Sequence, residues 1–81
     1  MNSKEFIQAI EDKKVLVNKN GELIEKKIYC QKLSDSYIFC DYTIAFFCVF
    51  DEVRERPDDN IALYLKGYIC GEMSPESWVI A

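Results

Sequence analysis

Four cysteines, at positions 30, 40, 48 and 70, are the residues whose type most readily suggests chemistry in this 81-residue chain. A thiolate nucleophile or a thiolate-bound zinc ion is what they would offer. Their spacing opposes both. No C-x-x-C pair occurs and the chain has no histidine. A zinc site would therefore have to gather four scattered thiolates, and the Ser–His and Cys–His nucleophile pairs are excluded. A free cysteine among apolar neighbours behaves as a small buried hydrophobe, which suits all four. The adjacent acids Asp58 and Asp59 could do acid–base work or hold a divalent cation, but beside Pro57 in a polar loop they read as solvated. The three glycines are isolated, so no phosphate-cradling loop is present. The sequence thus points to a non-enzymatic protein with no catalytic, cofactor-binding or metal-ligating residue.

Charge narrows the partners. Residues 1–32 carry seven lysines against five acids, while residues 33–81 carry nine acids against Arg54, Arg56 and Lys66. A phosphate-backbone binder needs a basic face, and the second half is the reverse. Its acids suit a basic surface on another protein, or simply keep the chain in solution. No nucleic-acid binding is expected. Tyr29, Tyr37, Tyr42, Tyr64, Tyr68 and Trp78 could stack on a nucleobase, although such residues more often line a core. No apolar leader or membrane-length run opens the chain, so a cytoplasmic location in a host cell is the expectation, with free thiols.

The elements that would position these residues follow from pattern. Length and composition suit a single small α+β domain over residues 1–81. Residues 3–13 read as an amphipathic helix capped by Ser3, with Phe6, Ile7 and Ile10 on one stripe. Asn20-Gly21 favours a type I′ hairpin, which would put Val17 opposite Ile24 and gather Val15, Val17, Ile24, Ile28 and Cys30 on one face. Ser34-Asp35-Ser36 is a turn, and residues 37–40 a strand. Ile61–Lys66 reads as a strand continuing towards Cys70, Ser74-Pro75-Glu76 as a single helical turn, and Trp78-Val79-Ile80 as a closing strand. The expected architecture is an N-terminal helix followed by a small antiparallel sheet of four or five strands.

Residues 37–51 hold the harder problem. One straight strand would run ~50 Å, whereas a domain of this size spans ~30 Å. The segment must bend or change type. Asp41 can cap a helix, and Tyr42, Phe46, Val49, Phe50 and Val53 fall on one helical face, so a second helix over residues 42–55 is expected. A long bent or bulged strand, favoured by the β-branched and aromatic content, is the competing reading. On the helical reading Ile44, Phe47 and Cys48 project away from the core as a spare apolar face. With the acids Asp51, Glu52, Glu55, Asp58 and Asp59 they form the candidate partner-binding surface, unless the helix is sandwiched within the fold or the face is closed by a homodimer.

The opening EFIQAIEDKKVLV is similar to the ALEALKEGKKV start of many small phage proteins, a helix running into a first strand. The ending MSPESWVIA resembles their closing DMLADDWEIV, a turn and a Trp-containing strand. The chain thus resembles the family that includes Thoeris anti-defence sponges and certain anti-CRISPR proteins. The resemblance spans about a quarter of the chain. It departs after the first strand, where Asn18-Lys19-Asn20-Gly21 replaces an expected aromatic, so Trp78 alone is carried over and no pocket residue is. The resemblance implies a phage or mobile-element inhibitor that blocks a host protein or ribonucleoprotein defence complex. A sponge that sequesters a nucleotide signal, and a structural or regulatory subunit of a larger assembly, are the alternatives.

Overall fold

The computed structural model describes residues 1–19, 28–41 and 46–81. Among these residues one α-helix, α1 (Ser3–Glu11), precedes eight strands: β1 (Leu16–Asn18), β2 (Ile28–Leu33), β3 (Ser36–Asp41), β4 (Phe46–Phe50), β5 (Glu52–Glu55), β6 (Ile61–Leu65), β7 (Tyr68–Met73) and β8 (Trp78–Ile80). The expected α+β class holds. The strands form two antiparallel sheets rather than one, a five-stranded sheet ordered β4-β3-β2-β1-β8 and a three-stranded sheet ordered β5-β6-β7.

The helix begins one residue earlier in its cap than expected. Asn2, not Ser3, is the N-cap: its side chain accepts the Glu5 N–H at 2.8 Å while the Glu5 carboxylate accepts the Asn2 N–H at 2.9 Å, a reciprocal capping box. At the other end Lys13 lies outside the helix with φ +61°. Its N–H donates to the Ile10 carbonyl and that of Lys14 to the Ala9 carbonyl. This is a Schellman closure with lysine at the left-handed position that usually takes glycine.

The second helix expected over residues 42–55 is not there. Residues 46–50 are β4 and residues 52–55 are β5, while residues 42–45 lie outside the described residues. The domain measures 33 × 24 × 21 Å, too short for one straight strand over residues 37–51. The chain meets this limit by bending at Asp51 and crossing from one sheet to the other. Phe46-Phe47-Cys48-Val49-Phe50 has the aromatic and branched content that fits a pleated, half-buried surface, and neighbouring β3 supplies the ladder. The bend is held from both sides. Asp51 N–H donates to the Tyr64 carbonyl at 3.1 Å, and its carboxylate accepts the Lys66 N–H at 3.0 Å.

Two tight turns set the registers. The turn expected at Ser34-Asp35-Ser36 closes over two residues: Ser34-Asp35 joins β2 to β3 with Ser34 at φ +56°, and Ser36 already belongs to β3, opposite Leu33. Strand β6 does not run on to Cys70. Lys66 and Gly67, at φ +53° and +83°, make the type I′ turn between Leu65 and Tyr68. The hairpin expected at Asn20-Gly21 lies outside the described residues, but its register does not hold at β1. Val17 pairs with Tyr29 and Leu16 with Cys30, instead of Val17 with Ile24. The core side of β1 is therefore Leu16, which is fully buried, and not Val15 and Val17.

The core lies between α1, the inner face of the five-stranded sheet and the three-stranded sheet, with Phe6, Ile10, Leu16, Cys30, Ile61 and Trp78 at its centre. Trp78 takes edge-to-face contacts from Phe6 (5.7 Å between centroids) and Phe39 (6.1 Å), and Phe39 in turn meets Phe50. The turn Pro75–Ser77, with Pro75 buried, delivers Trp78 to that position, as the proline-initiated turn predicts. Strand β8 then pairs with β1, so the segment after α1 and the closing strand lie side by side in one sheet.

Candidate functional site

The register of the five-stranded sheet runs without a shift, so residues in line across the strands share a face. The inner row is Ile80, Leu16, Cys30, Phe39 and Cys48. The row beside it, facing away from α1, places Val79, Val17, Tyr29 and Cys40 side by side, and Cys40 pairs onward with the backbone of Phe47. Gln31, Ile38 and Val49 make the next outer row. Val79, Val17, Tyr29 and Ile38 are half-buried, and Val49 and Leu33 are 38% and 48% exposed. None of these belongs to the core cluster, and neither does Cys40, although it is buried. No described residue in these rows carries a charge. The side of the sheet away from the core thus carries apolar rows, and among their described residues Val49 and Leu33 are the exposed ones.

The described residues expected to bind a partner are spread over β4, the Asp51 bend, β5 and the loop after it. Ile44 lies outside the described residues. Phe47 pairs with Cys40, whereas Cys48 pairs with Phe39 on the inner row and is half-buried. A helix would group positions 44, 47 and 48; a strand sends successive residues to opposite sides. The apolar surplus is real but belongs to a sheet face built from five strands. Its signal in the sequence was the runs VLV, YIFC, FFCVF and WVI, apolar at consecutive positions, which in a strand puts apolar residues on both faces.

The acids are mostly occupied within the chain. Asp51 holds the Lys66 turn. Glu52 grips Arg54 through two hydrogen bonds of 2.9 Å, and the Arg54 guanidinium lies 4.2 Å from the Tyr64 ring centre. Arg56 reaches Glu72 at 2.8 Å and Asp58 at 3.7 Å, and Asp58 also accepts the Asn60 N–H. Asp59, at φ +65°, accepts both the N–H (2.9 Å) and the hydroxyl (2.7 Å) of fully buried Ser3. The Ser3 hydroxyl and its N–H hold the Asp59 carboxyl below its usual range. Glu55 is exposed at the end of β5. The acidic loop is therefore first a clasp on the start of α1.

The aromatic set is dispersed as well. Trp78 and Tyr37 are core, Tyr64 is roofed by Arg54, Tyr68 is 77% exposed, and Tyr42 lies outside the described residues. Tyr37 closes a second bridge from α1 to the sheet. Its hydroxyl donates to Glu11, whose other oxygen takes the Lys32 ammonium at 2.7 Å. Lys32 and Tyr37, in that order, hold the Glu11 carboxyl low. Burial pushes the Cys30 thiol well up, so it is inert as a nucleophile. Among the described residues no three metal-ligating side chains gather at one place, and no helix is long and apolar enough to cross a membrane. A cavity of about 450 Å³ is an open groove between α1 and β8 with Ala9 and Ile80 among its lining residues and charges of both signs at Lys4, Glu5, Asp12 and Lys14. Comparison with protein-family models, curated proteins and solved structures finds no match.

Proposed function

We infer that the protein is a non-enzymatic binding domain, an inhibitor of the anti-defence kind, that blocks a bacterial defence complex by laying the outer face of its five-stranded sheet on it. The observation that carries this reading is the uncharged row Val79, Val17, Tyr29 and Cys40 with Ile38 and Val49 beside it, an apolar face that the core does not use. Patches of this kind on small domains mark interaction sites. The net negative charge of the second half supplies long-range attraction towards a basic surface that normally handles nucleic acid. Glu55, exposed beside the engaged acids, adds to that field, while Asp51, Glu52, Asp58 and Asp59 serve mainly to hold the scaffold.

The test is inhibition. Purified chain is added to reconstituted CRISPR effector complexes, and target cleavage is followed with and without the substitution Val49→Asp. The expected result is inhibition by the native chain, weakened as salt rises, and at least tenfold loss of potency for the variant. Undiminished cleavage across the effectors, or full potency of Val49→Asp, refutes the reading. A nucleotide signal retained by the protein and released on denaturation would establish the sponge alternative instead.

A further inference from the structure

A second surface, on the three-stranded sheet, points to self-association. Strand β7 is an open edge: it pairs with β6 on one side and no described strand lies on the other. Its first residues are apolar and stand in water, with Tyr68 77% and Ile69 51% exposed and Cys70 exposed beside them. Residues 67–71 carry no charge, proline or other feature that usually blunts such an edge, save that Cys70 is an extra residue where the register steps from Tyr64↔Ile69 to Leu63↔Gly71. The opposite edge, β5, is guarded by Glu52, Arg54 and Glu55. Closure of the Lys66-Gly67 turn uses the backbone groups of Leu65 and Tyr68, which leaves the N–H and C=O of Ile69 directed outward.

The charges flanking this edge are self-complementary. Lys66 precedes it and Glu72 follows it, with Ile69 midway. Two copies aligned antiparallel about Ile69 bring Lys66 of one copy to Glu72 of the other at both ends. Parallel alignment would set lysine against lysine and glutamate against glutamate. Glu72 binds Arg56 through Oε1, which leaves Oε2 for a second cation. We propose that β7 pairs antiparallel with β7 of a second copy, two-fold about Ile69, to make a continuous six-stranded sheet with three strands from each chain. The contact is isologous, and the charged β5 strands then form the outer edges. The assembly therefore closes as a dimer and does not grow. This surface is separate from the five-stranded sheet, so the dimer would present two copies of that apolar face.

Sedimentation of the full chain over a range of concentrations tests the proposal, with Ile69→Lys, Lys66→Glu, the reversed pair Lys66→Glu with Glu72→Lys, and Val49→Asp measured beside it. The expected outcome is a native dimer. Its dissociation constant rises at least tenfold in Ile69→Lys and several-fold in Lys66→Glu, recovers in the reversed pair, and is unchanged in Val49→Asp. A Tyr68→Cys variant, which sets a thiol near Cys70 of the second copy, should cross-link as a dimer under mild oxidation. A native chain that stays monomeric, or a dimer that survives Ile69→Lys but is lost in Val49→Asp, overturns the proposal. Defence inhibition by monomeric Ile69→Lys would leave the proposed function standing, so the two readings fail separately.

Discussion

Single residues here hold the domain at points where the sequence looks unremarkable. Asp59 shows this best, because a loop acid secures a fully buried serine at the start of α1. Asp59→Ala strands the Ser3 hydroxyl and N–H, and the expected result is a fall in Tm of about 5 °C by thermal circular dichroism. The sign of the pH effect follows from the same bonds. Asp59 and Glu11 both bind protons more weakly folded than unfolded. Their contribution is complete above the ordinary carboxyl range near 4 and is lost as pH falls through the lower folded values. Tm should therefore drop on acidification below about pH 4, and less steeply in a chain carrying both Asp59→Asn and Glu11→Gln. Lys13, at φ +61° in the Schellman closure, works the other way. Lys13→Gly relieves a conformation that costs about 1 kcal/mol, and urea denaturation should register the gain. Unchanged stability in this variant would remove the strain argument.

At the scale of elements, the helix, the two-residue turn at Ser34-Asp35, the proline-led turn and the closing Trp strand were all legible, because each depends on its own few residues. What escaped depends on partners distant in sequence. Residues 46–55 satisfy a helical period and a strand composition equally well. The ladder with β3 on one side and β6 on the other decides for strand, and neither is visible from within the segment. Asp51 looked like a charged surface residue, yet it anchors the bend that changes sheets. The register of β1 is likewise fixed by β2 and β8 together, so the local preference of Asn20-Gly21 could not set it. The candidate site was half legible. A surplus of apolar positions was plain, but a helical reading assigned it to Ile44, Phe47 and Cys48 when the register distributes it over five strands. One consequence is testable at this scale. Asp51→Ala removes the acceptor of the Lys66 N–H and loosens the β4–β5 bend and the β6–β7 turn together, so amide exchange at Lys66 should accelerate with little change elsewhere.

For the whole molecule, a thin core means that few residues carry most of the stability. Trp78 stands between Phe6 and Phe39 and is 5% exposed. Its replacement by alanine should cost ~3–5 kcal/mol, against a total of ~5–15 kcal/mol for a domain. Urea titration of Trp78→Ala followed by circular dichroism should show the unfolding midpoint at a much lower urea concentration than in the native chain. Val49→Asp, on the outer face, should leave the same curve nearly unmoved. The pairing of β8 with β1 also orders events in time. The hairpins β2–β3 and β6–β7 can form as soon as their own residues exist, but the edge of β1 stays open, and Phe6 lacks its ring partner, until the far end of the chain arrives. Folding is thus gated by a long-range closure, which makes it slow for so short a chain. A product cut short before Trp78 leaves β1 as an open sheet edge beside a core without its central ring, the form that proteases and aggregation remove first.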